Sequence, residues 1–168
     1  INDINIGNIY DLIAKINFDD LYNSESVRFH GDFILDNILI DDSENFILID
    51  WRQDFGNDLK NGDIYYDFAK LKHNIYLNHH NLENDLYELK EINKNSCVVD
   101  IKCNYFLINQ INRYESFIKE NNYDNKKINI LMSLIWINMA PLHTYPLNNF
   151  LFNFGKYNLY QNINLDKL

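Results

Sequence analysis

The feature that most constrains this chain is an ordered series of carboxylates and one carboxamide. His30-Gly31-Asp32 is followed after four residues by Asn37, and Asp50 comes directly after an apolar run. Phosphoryl transfer from a magnesium-bound nucleotide needs one group that orients a hydroxyl and two oxygen ligands that hold the metal. An aspartate and an asparagine on a tight loop, with an aspartate at the end of a nearby strand, provide that set. We therefore expect these side chains to converge on one cavity.

Each of these residues has an ordinary explanation when it is considered alone. Asp32 can simply cap a turn after a glycine, and Asn37 is one asparagine in a chain that is rich in asparagine. The pair is more specific, because a five-residue offset across a loop lets both side chains face the same cavity. With Asp50, the three residues supply oxygen ligands of the type that hard cations prefer.

Composition and charge narrow the class of protein. At 168 residues, with 46% hydrophobic and 15% aromatic residues, we expect one domain over residues 1–168. The net charge of −9 argues against nucleic acid or an anionic membrane as the main partner, since both need a basic face. No apolar run reaches the roughly 20 residues of a membrane-spanning helix. Cys97 and Cys103 lack a metal-binding pattern, and we expect two reduced thiols in an intracellular protein.

The hydrophobic pattern predicts an α+β fold with a helical majority. Two apolar runs, 38–40 and 46–49, flank a polar turn and predict a hairpin buried on both faces, with Asp50 at the end of its second strand. A second hairpin, expected to be more exposed, is predicted over 86–101. A polar connection is expected over 19–26. The predicted helices cover residues 8–16, 63–78, 104–119, 125–139 and 147–160.

These motifs, together with Gly62-Asp63-x3-Asp67-Phe68-Ala69-Lys70-Leu71, resemble the aminoglycoside phosphotransferase and choline kinase family. The members of this family are small-molecule kinases with a protein-kinase-like fold. The resemblance is specific over residues 28–73, and it implies the mostly helical C-terminal lobe of that fold with a small catalytic β-hairpin. The segments 66–71 and 140–143 also resemble kinase-like proteins of bacterial surface-polysaccharide clusters.

The resemblance implies a role for the three residues of the first motif. Asp32 would be the catalytic base that orients the acceptor hydroxyl, and Asn37 and Asp50 would be the ligands of Mg²⁺. The chemistry argued from the residues agrees, since positioning and electrostatic stabilisation dominate phosphoryl transfer. Asp32 would need to stay ionised, which a nearby cation such as bound magnesium would favour.

Four further residues take supporting roles by the same resemblance. Leu39 and Ile49 would form the apolar floor beneath the base of ATP or GTP. His30 would shape the catalytic loop, and Asp67 would brace that loop from the following helix.

Two motifs lie outside the usual family pattern. Arg52 can hold a phosphate or a substrate anion, or it can pair with a neighbouring carboxylate such as Asp54 or Asp63. We expect the pairing. The adjacent residues His79-His80 are expected to lie at a solvated helix end, because histidine ligands on helices favour wider spacing.

The residues before His30 lack two motifs of this type of kinase. A glycine-rich phosphate loop and a strand-borne lysine normally lie upstream of the catalytic loop. No Gly-x-Gly occurs here, and Lys15 falls on a predicted amphipathic helix. We therefore expect this chain to be the C-terminal lobe of a longer protein, with the N-terminal lobe of the same protein as its partner. The alternative is a degenerate relative.

The expected function is transfer of the γ-phosphate of ATP or GTP to a hydroxyl of a small acceptor in the cytoplasm. The acceptor would be a sugar, a choline-like amino alcohol or an aminoglycoside. The alternative is a non-catalytic binding or scaffold domain that has kept the fold. The presence of Asp32, Asn37 and Asp50 together favours the enzyme, because a scaffold has no physical need for three convergent oxygen ligands.

Overall fold

The structure, a computed structural model, describes residues 1–24, 26–54, 56, 58 and 60–164. Within these residues, α-helices and three two-stranded antiparallel sheets agree with the predicted α+β class. The α-helices are α1 (Ile9–Ile13), α2 (Phe18–Tyr22), α3 (Ile64–Tyr76), α4 (His79–Glu83), α5 (Tyr105–Glu120), α6 (Asn125–Met139) and α7 (Leu147–Asn164). Strands β1 (Ser26–Val27) and β4 (Gly62–Asp63), β2 (Ile38–Ile40) and β3 (Phe46–Leu48), and β5 (Tyr87–Asn93) and β6 (Ser96–Ile101) form the pairs.

The hydrophobic core is built around α6, which packs against α7 and α3. Trp136 of α6 is fully buried, and its ring lies 6.0 Å from the ring of Tyr76 on α3 and 4.7 Å from that of Phe154 on α7. Large aromatic side chains bury the most apolar area per residue and dominate the energetics of such a core. The core therefore fixes α3, which also contacts the loop between β1 and β2.

A buried polar network also holds α3 in place. Lys72 is almost completely buried, forms an ion pair with Glu115 of α5, and donates hydrogen bonds to Asn125 and Asn129 at 3.0 and 2.5 Å. Burial lowers the pKa of Lys72, while the contact with Glu115 opposes that shift. Three helices are joined through one ammonium group, and this restricts how α3 can rotate about its axis.

The predicted boundaries of α3, α5, α6 and α7 are confirmed to within a few residues. The N-terminal region differs. The helix predicted over 8–16 ends at Ile13, because the amides of Lys15 and Ile16 bond to carbonyls three residues back and close the chain into a turn. The polar connection predicted over 19–26 is also wrong, since α2 forms there with two aspartates in its first turn, where the helix dipole favours negative charge.

The hairpins form where they were predicted, but their predicted burial is wrong. The β2–β3 hairpin was expected to be buried on both faces, whereas Ile40 is 65% and Phe46 is 72% exposed. The β5–β6 hairpin was expected to be the more exposed one, whereas Val99 and Ile101 of β6 belong to the main core. A continuous apolar run predicts a strand, but burial depends on which elements pack against it.

Two expectations from composition concern the cysteines and the membrane. Cys97 and Cys103 are both free, in agreement with the predicted pair of thiols. Among the helices that the structure describes, none is both long and apolar enough to cross a membrane.

His73 of α3 is a buried titratable group. It is 4% exposed, and its Nδ1 contacts the carbonyl oxygen of Lys70 one turn earlier. Burial, with a further contribution from the charge of Lys70, lowers the pKa of His73 to about 4, against an ordinary value of 6.5. The folded protein therefore keeps this imidazole neutral at pH values where the unfolded chain binds a proton.

This difference predicts a pH dependence of stability. Between about pH 6.5 and pH 4 the unfolded chain binds more protons at His73, so the free energy of unfolding falls as the pH is lowered. The contribution of His73 approaches about 1 kcal/mol per pH unit in that window. Urea unfolding between pH 7 and pH 4.5 should show a shallower fall for His73→Gln than for the wild-type protein. His80→Gln, at an exposed position, should follow the wild type, and parallel curves for all three proteins would contradict a neutral His73.

Candidate functional site

Glycine is required at two positions, one in the loop between β1 and β2 and one in β4. Gly31 has a φ of +81°, and a Cβ at this position would lie 2.6 Å from Cβ of Arg52 and 2.8 Å from the ring of Phe29. A Cβ on Gly62 would lie 2.6 Å from the same ring. Any other residue would be strained at Gly31 by the left-handed backbone, and at both positions by the close approach of neighbouring atoms. The Phe29 ring thus packs on two glycines and seats the loop against β4.

A single carboxylate on α3 holds the backbone of this loop. Asp67 accepts a hydrogen bond from the backbone amide of His30 at 2.6 Å through Oδ2 and from that of Gly31 at 2.8 Å through Oδ1. Burial raises the pKa of Asp67, and the two backbone donors oppose this shift. The structure therefore places Asp67 where the family resemblance implied a brace for the loop.

Two more residues on the same face of α3 contact the loop. Lys70 forms an ion pair with Asp32, with 2.6 Å between Nζ and Oδ1. Asn74 accepts a hydrogen bond from the backbone amide of Leu35 at 2.9 Å. Lys70 and Asn74 lie three and seven residues after Asp67, a spacing that puts all three side chains on one stripe of a helix. One face of α3 thus contacts the loop from residue 30 to residue 35.

Asp32 and Asn37 lie in direct contact, as their spacing predicted. The Nδ2 of Asn37 donates to the backbone carbonyl of Asp32 at 2.9 Å and to its carboxylate at 3.3 Å. Both bonds use the amide nitrogen of Asn37, so its Oδ1 is not engaged in either of them. Burial raises the pKa of Asp32, but the hydrogen bond and charge of Lys70, the bond from Asn37 and the charge of Arg52 outweigh it, so that the pKa lies below its usual value.

His30 links the loop to the segment that follows β3. Its Nε2 donates to the carbonyl of Ile49 at 2.8 Å, and its Nδ1 accepts from the backbone amide of Asp32 at 3.3 Å. The backbone amide of Ile49 in turn donates to the carbonyl of Asn37 at 3.0 Å. This pattern corresponds to a neutral imidazole with its proton on Nε2. His30 therefore positions both the residue before Asp50 and the amide of Asp32.

Asp50 was predicted at the end of the second strand, but β3 ends at Leu48, two residues earlier. Asp50 is exposed and has a φ of +58°, in the left-handed region that aspartate tolerates better than most residues. The hydrogen bonds of Ile49 place the backbone of Asp50 beside Asn37. Carboxylate and carboxamide oxygens at these two positions are the donor types that Mg²⁺ prefers. The donor types of Asn37 and Asp50 therefore suit a magnesium ion.

The apolar residues predicted to lie under a nucleotide base lie on or next to the β2–β3 hairpin. Leu39 pairs with Ile47 in the register, so their side chains lie on one face. Ile49 lies one residue beyond the end of β3, where its amide donates to the carbonyl of Asn37. Leu39, Ile47 and Ile49 are 47%, 45% and 40% exposed. Leu39 and Ile49 are thus available to a planar ligand, and Ile47 extends the same surface.

The predicted ion pair between Arg52 and Asp54 or Asp63 is not found within the described part of the chain. The guanidinium of Arg52 instead lies 5.8 Å from the ring centre of Tyr66 on α3. Arginine stacks on aromatic faces readily, because its planar cation is weakly hydrated.

The predicted solvated helix end at His79-His80 is confirmed. Both histidines are exposed in the first turn of α4, and Nδ1 of His79 lies 3.2 Å from Asp36.

Among the described residues, no cluster of three or more histidine, cysteine, aspartate or glutamate side chains has the geometry to hold a metal.

Sequence reasoning gave no role to Lys70, Asn74 or Ile47. A signal for the first two was present, since residues three and seven positions after a bracing Asp67 share its helical face. For Ile47, the signal was its place opposite Leu39 in a hairpin with a five-residue turn. None of the three stands out from composition or local motif alone.

The site is open to solvent. Three cavities of about 990, 700 and 270 Å³ are lined by residues outside the loop over residues 28–37, the β2–β3 hairpin and α3. At the site itself, the side chain of Asp32 is 30% exposed and Asp50 is exposed.

Comparison with known proteins gives one match. Residues 11–85 match the model of the phosphotransferase enzyme family. The match covers the loop, the β2–β3 hairpin and α3, and so it contains every residue discussed above as part of the site. No curated protein and no solved structure gives a significant match. The family match confirms the resemblance to aminoglycoside phosphotransferases and choline kinases that the motifs predicted, and it supports phosphotransferase activity in general.

The bracing role of Asp67 leads to a test by hydrogen exchange. Asp67→Ala leaves two buried backbone donors without an acceptor and should lower the free energy of unfolding by about 2 to 4 kcal/mol. The amides of His30 and Gly31 should exchange faster than in the wild type, measured by NMR. The matched control is Asp124→Ala, which removes a single N-terminal cap from α6. It should lower stability by about 1 kcal/mol and leave exchange at Gly31 unchanged. Unaltered exchange in Asp67→Ala would rule out the brace.

Proposed function

We propose that this chain is the catalytic lobe of a small-molecule kinase. It would transfer the γ-phosphoryl group of ATP or GTP to a hydroxyl of a small acceptor, such as a sugar, a choline-like amino alcohol or an aminoglycoside. The observation that carries the proposal is the contact between Asp32 and Asn37 on a loop whose backbone is held by Asp67. The family match over residues 11–85 supports the reaction class.

Asp32 would act as the base that orients the acceptor hydroxyl. Its carboxylate retains lone pairs beyond those that contact Lys70 and Asn37, so it can also accept the hydroxyl proton. The acceptor oxygen would form a bond to the γ-phosphorus while the bond to the β–γ bridging oxygen breaks. The proton would pass to Asp32, and a nucleoside diphosphate would leave. A weakly basic aspartate suffices, because a loose transition state depends more on orientation than on proton removal.

Asn37, through Oδ1, and Asp50 would hold Mg²⁺. Bound there, Mg²⁺ would supply positive charge that offsets the negative charge of the phosphate groups. Leu39, Ile47 and Ile49 would lie under the nucleotide base. Each Å² of apolar area that the base buries there would contribute about 25 cal/mol to its binding. His30 would keep the metal-ligand segment and the catalytic loop in register through its two ring nitrogens.

We further propose that the remaining half of the cleft is supplied by an N-terminal lobe of the same protein. The exposed apolar side chains of the β2–β3 hairpin support this, since large exposed apolar patches mark binding surfaces. A glycine-rich loop and a strand lysine would come from that lobe. The protein would act in the bacterial cytoplasm, where nucleoside triphosphates are available, and its acceptor would belong to surface-polysaccharide synthesis.

The experiment uses the full-length protein with Mg²⁺, ATP or GTP, and a panel of sugars, choline and aminoglycosides. Nucleoside diphosphate release should depend on one class of acceptor. Asp32→Asn should lower kcat by about 10²-fold to 10⁴-fold, the range for loss of a general base, without unfolding the protein. The matched control is Asp36→Asn, which alters a more exposed aspartate of the same loop and should keep turnover within about threefold of the wild type, as expected for an acidic residue that does not contact the reacting atoms.

Two outcomes would overturn the assignment. Wild-type turnover in Asp32→Asn would remove the catalytic role of that residue. Nucleotide binding without turnover across the acceptor panel would instead favour the non-catalytic binding domain.

A further inference from the structure

Lys70 is the cation closest to the proposed reaction centre. Its side chain is 12% exposed, that of Asp32 is 30% exposed, and Nζ lies 2.6 Å from Oδ1 of Asp32. Asp67, one turn earlier on α3, is fully engaged with two backbone amides. The ammonium group is therefore held at the edge of the site, where any group that approaches Asp32 also approaches Lys70.

Arg52 supplies a second cation next to the loop. Its aliphatic stem crosses Gly31, and its guanidinium lies over the ring of Tyr66 at 5.8 Å. Tyr66 and Lys70 are four residues apart on α3 and therefore share one face. The charges of Arg52 and Lys70 both act on Asp32. Two cations thus border one carboxylate.

The protein carries a net charge of −9, but at this site two cations, Lys70 and Arg52, offset the charges of two carboxylates, Asp32 and Asp67. A further anionic group placed between Lys70 and Arg52 would be attracted by both. A compact ammonium and a planar guanidinium fork are the two side-chain groups that bind phosphate oxygens.

We propose that Lys70 and Arg52 together bind the phosphoryl group at the reaction centre, and that the Lys70–Asp32 ion pair is the resting arrangement that this group replaces. The proposal rests on the kinase function proposed above. When the acceptor oxygen bonds to the γ-phosphorus and the β–γ bridging bond breaks, the three equatorial oxygens carry spread negative charge. Cations fixed at that position stabilise the charge without reorganisation. The hydroxyl proton then passes to Asp32, which Lys70 has released.

A phosphoryl group can reach this pair from two sources. One is the γ-phosphate of the nucleotide, which is the source we favour because Asp32 must lie beside the attacked phosphorus. The other is a phosphate already present on the acceptor. If the group is the γ-phosphate, removal of the cations weakens binding of the nucleotide. If it is the acceptor phosphate, removal of the cations weakens binding of the acceptor.

The test compares binding of Mg²⁺ complexes of ATP or GTP and of the matching diphosphate to full-length protein, by calorimetry. The γ-phosphate distinguishes the two ligands, so the ratio of their Kd values reports contact with it. Lys70→Met and Arg52→Gln should each weaken triphosphate binding by about tenfold or more, the size of a lost charge-assisted hydrogen bond. Diphosphate binding should change by less than about twofold, since the diphosphate does not make this contact. Lys70→Arg keeps the charge and should recover much of the triphosphate preference.

Matched controls are Lys94→Met and Arg113→Gln, at exposed positions away from the loop, which should leave the ratio unchanged. Arg52→Gln alters an exposed side chain, and so it tests the proposal even if Lys70→Met fails to fold.

An unchanged ratio in folded Lys70→Met or Arg52→Gln, with active wild type, overturns a role at the γ-phosphate. If the KM for a phosphorylated acceptor alone rises in those variants, the cationic pair stands and its ligand is the acceptor phosphate. Wild-type protein that binds neither nucleotide overturns the kinase function and this proposal with it.

Discussion

The site depends on the two hydrogen bonds that Asp67 accepts from the backbone of His30 and Gly31. The amides of His30 and Gly31 find their acceptors on Asp67 and not within the loop, and buried unpaired amides are costly. Asp67 supplies both acceptors from a helix that the core holds through Trp136 and Lys72. Because the loop is fixed to a rigid element, Asp32 and Asn37 can keep one geometry.

The two hairpins show how the same kind of sequence meets different surroundings. Val99 and Ile101 of β6 face the helical core, whereas Ile40 and Phe46 of the β2–β3 hairpin face solvent. An isolated two-stranded hairpin is marginal in water. The β2–β3 hairpin is connected to the rest of the fold next to its ends, where Ile49 bonds to Asn37 and to His30. Exposed apolar patches such as this one usually bind a ligand or another protein surface.

Much of the fold could be predicted from local patterns. The apolar spacing of α3 and the cap at Asp63 define that helix, and the polar turn after Ile40 sets the register of β2 and β3. The contact of Asp32 with Asn37 also follows from their spacing. The pairing of Lys70 with Asp32 and the stacking of Arg52 on Tyr66 could not be predicted, because both depend on how α3 is rotated against the loop. The burial of the two hairpins could not be predicted either, because it depends on which elements pack against each strand.

Under the proposed function, Asn37 and Asp50 would hold one divalent ion beside Asp32. The direct measurement is a crystal structure of the full-length protein with Mn²⁺ and a non-hydrolysable nucleotide, with the ion located by anomalous scattering. We expect one anomalous peak about 2.0–2.3 Å from Oδ1 of Asn37 and from the carboxylate of Asp50, the range of hard-cation contacts to oxygen. The γ-phosphate should lie between that ion and Asp32. An ion bound elsewhere, or an Asp50 carboxylate turned away from Asn37 in the nucleotide complex, would contradict the proposed magnesium site.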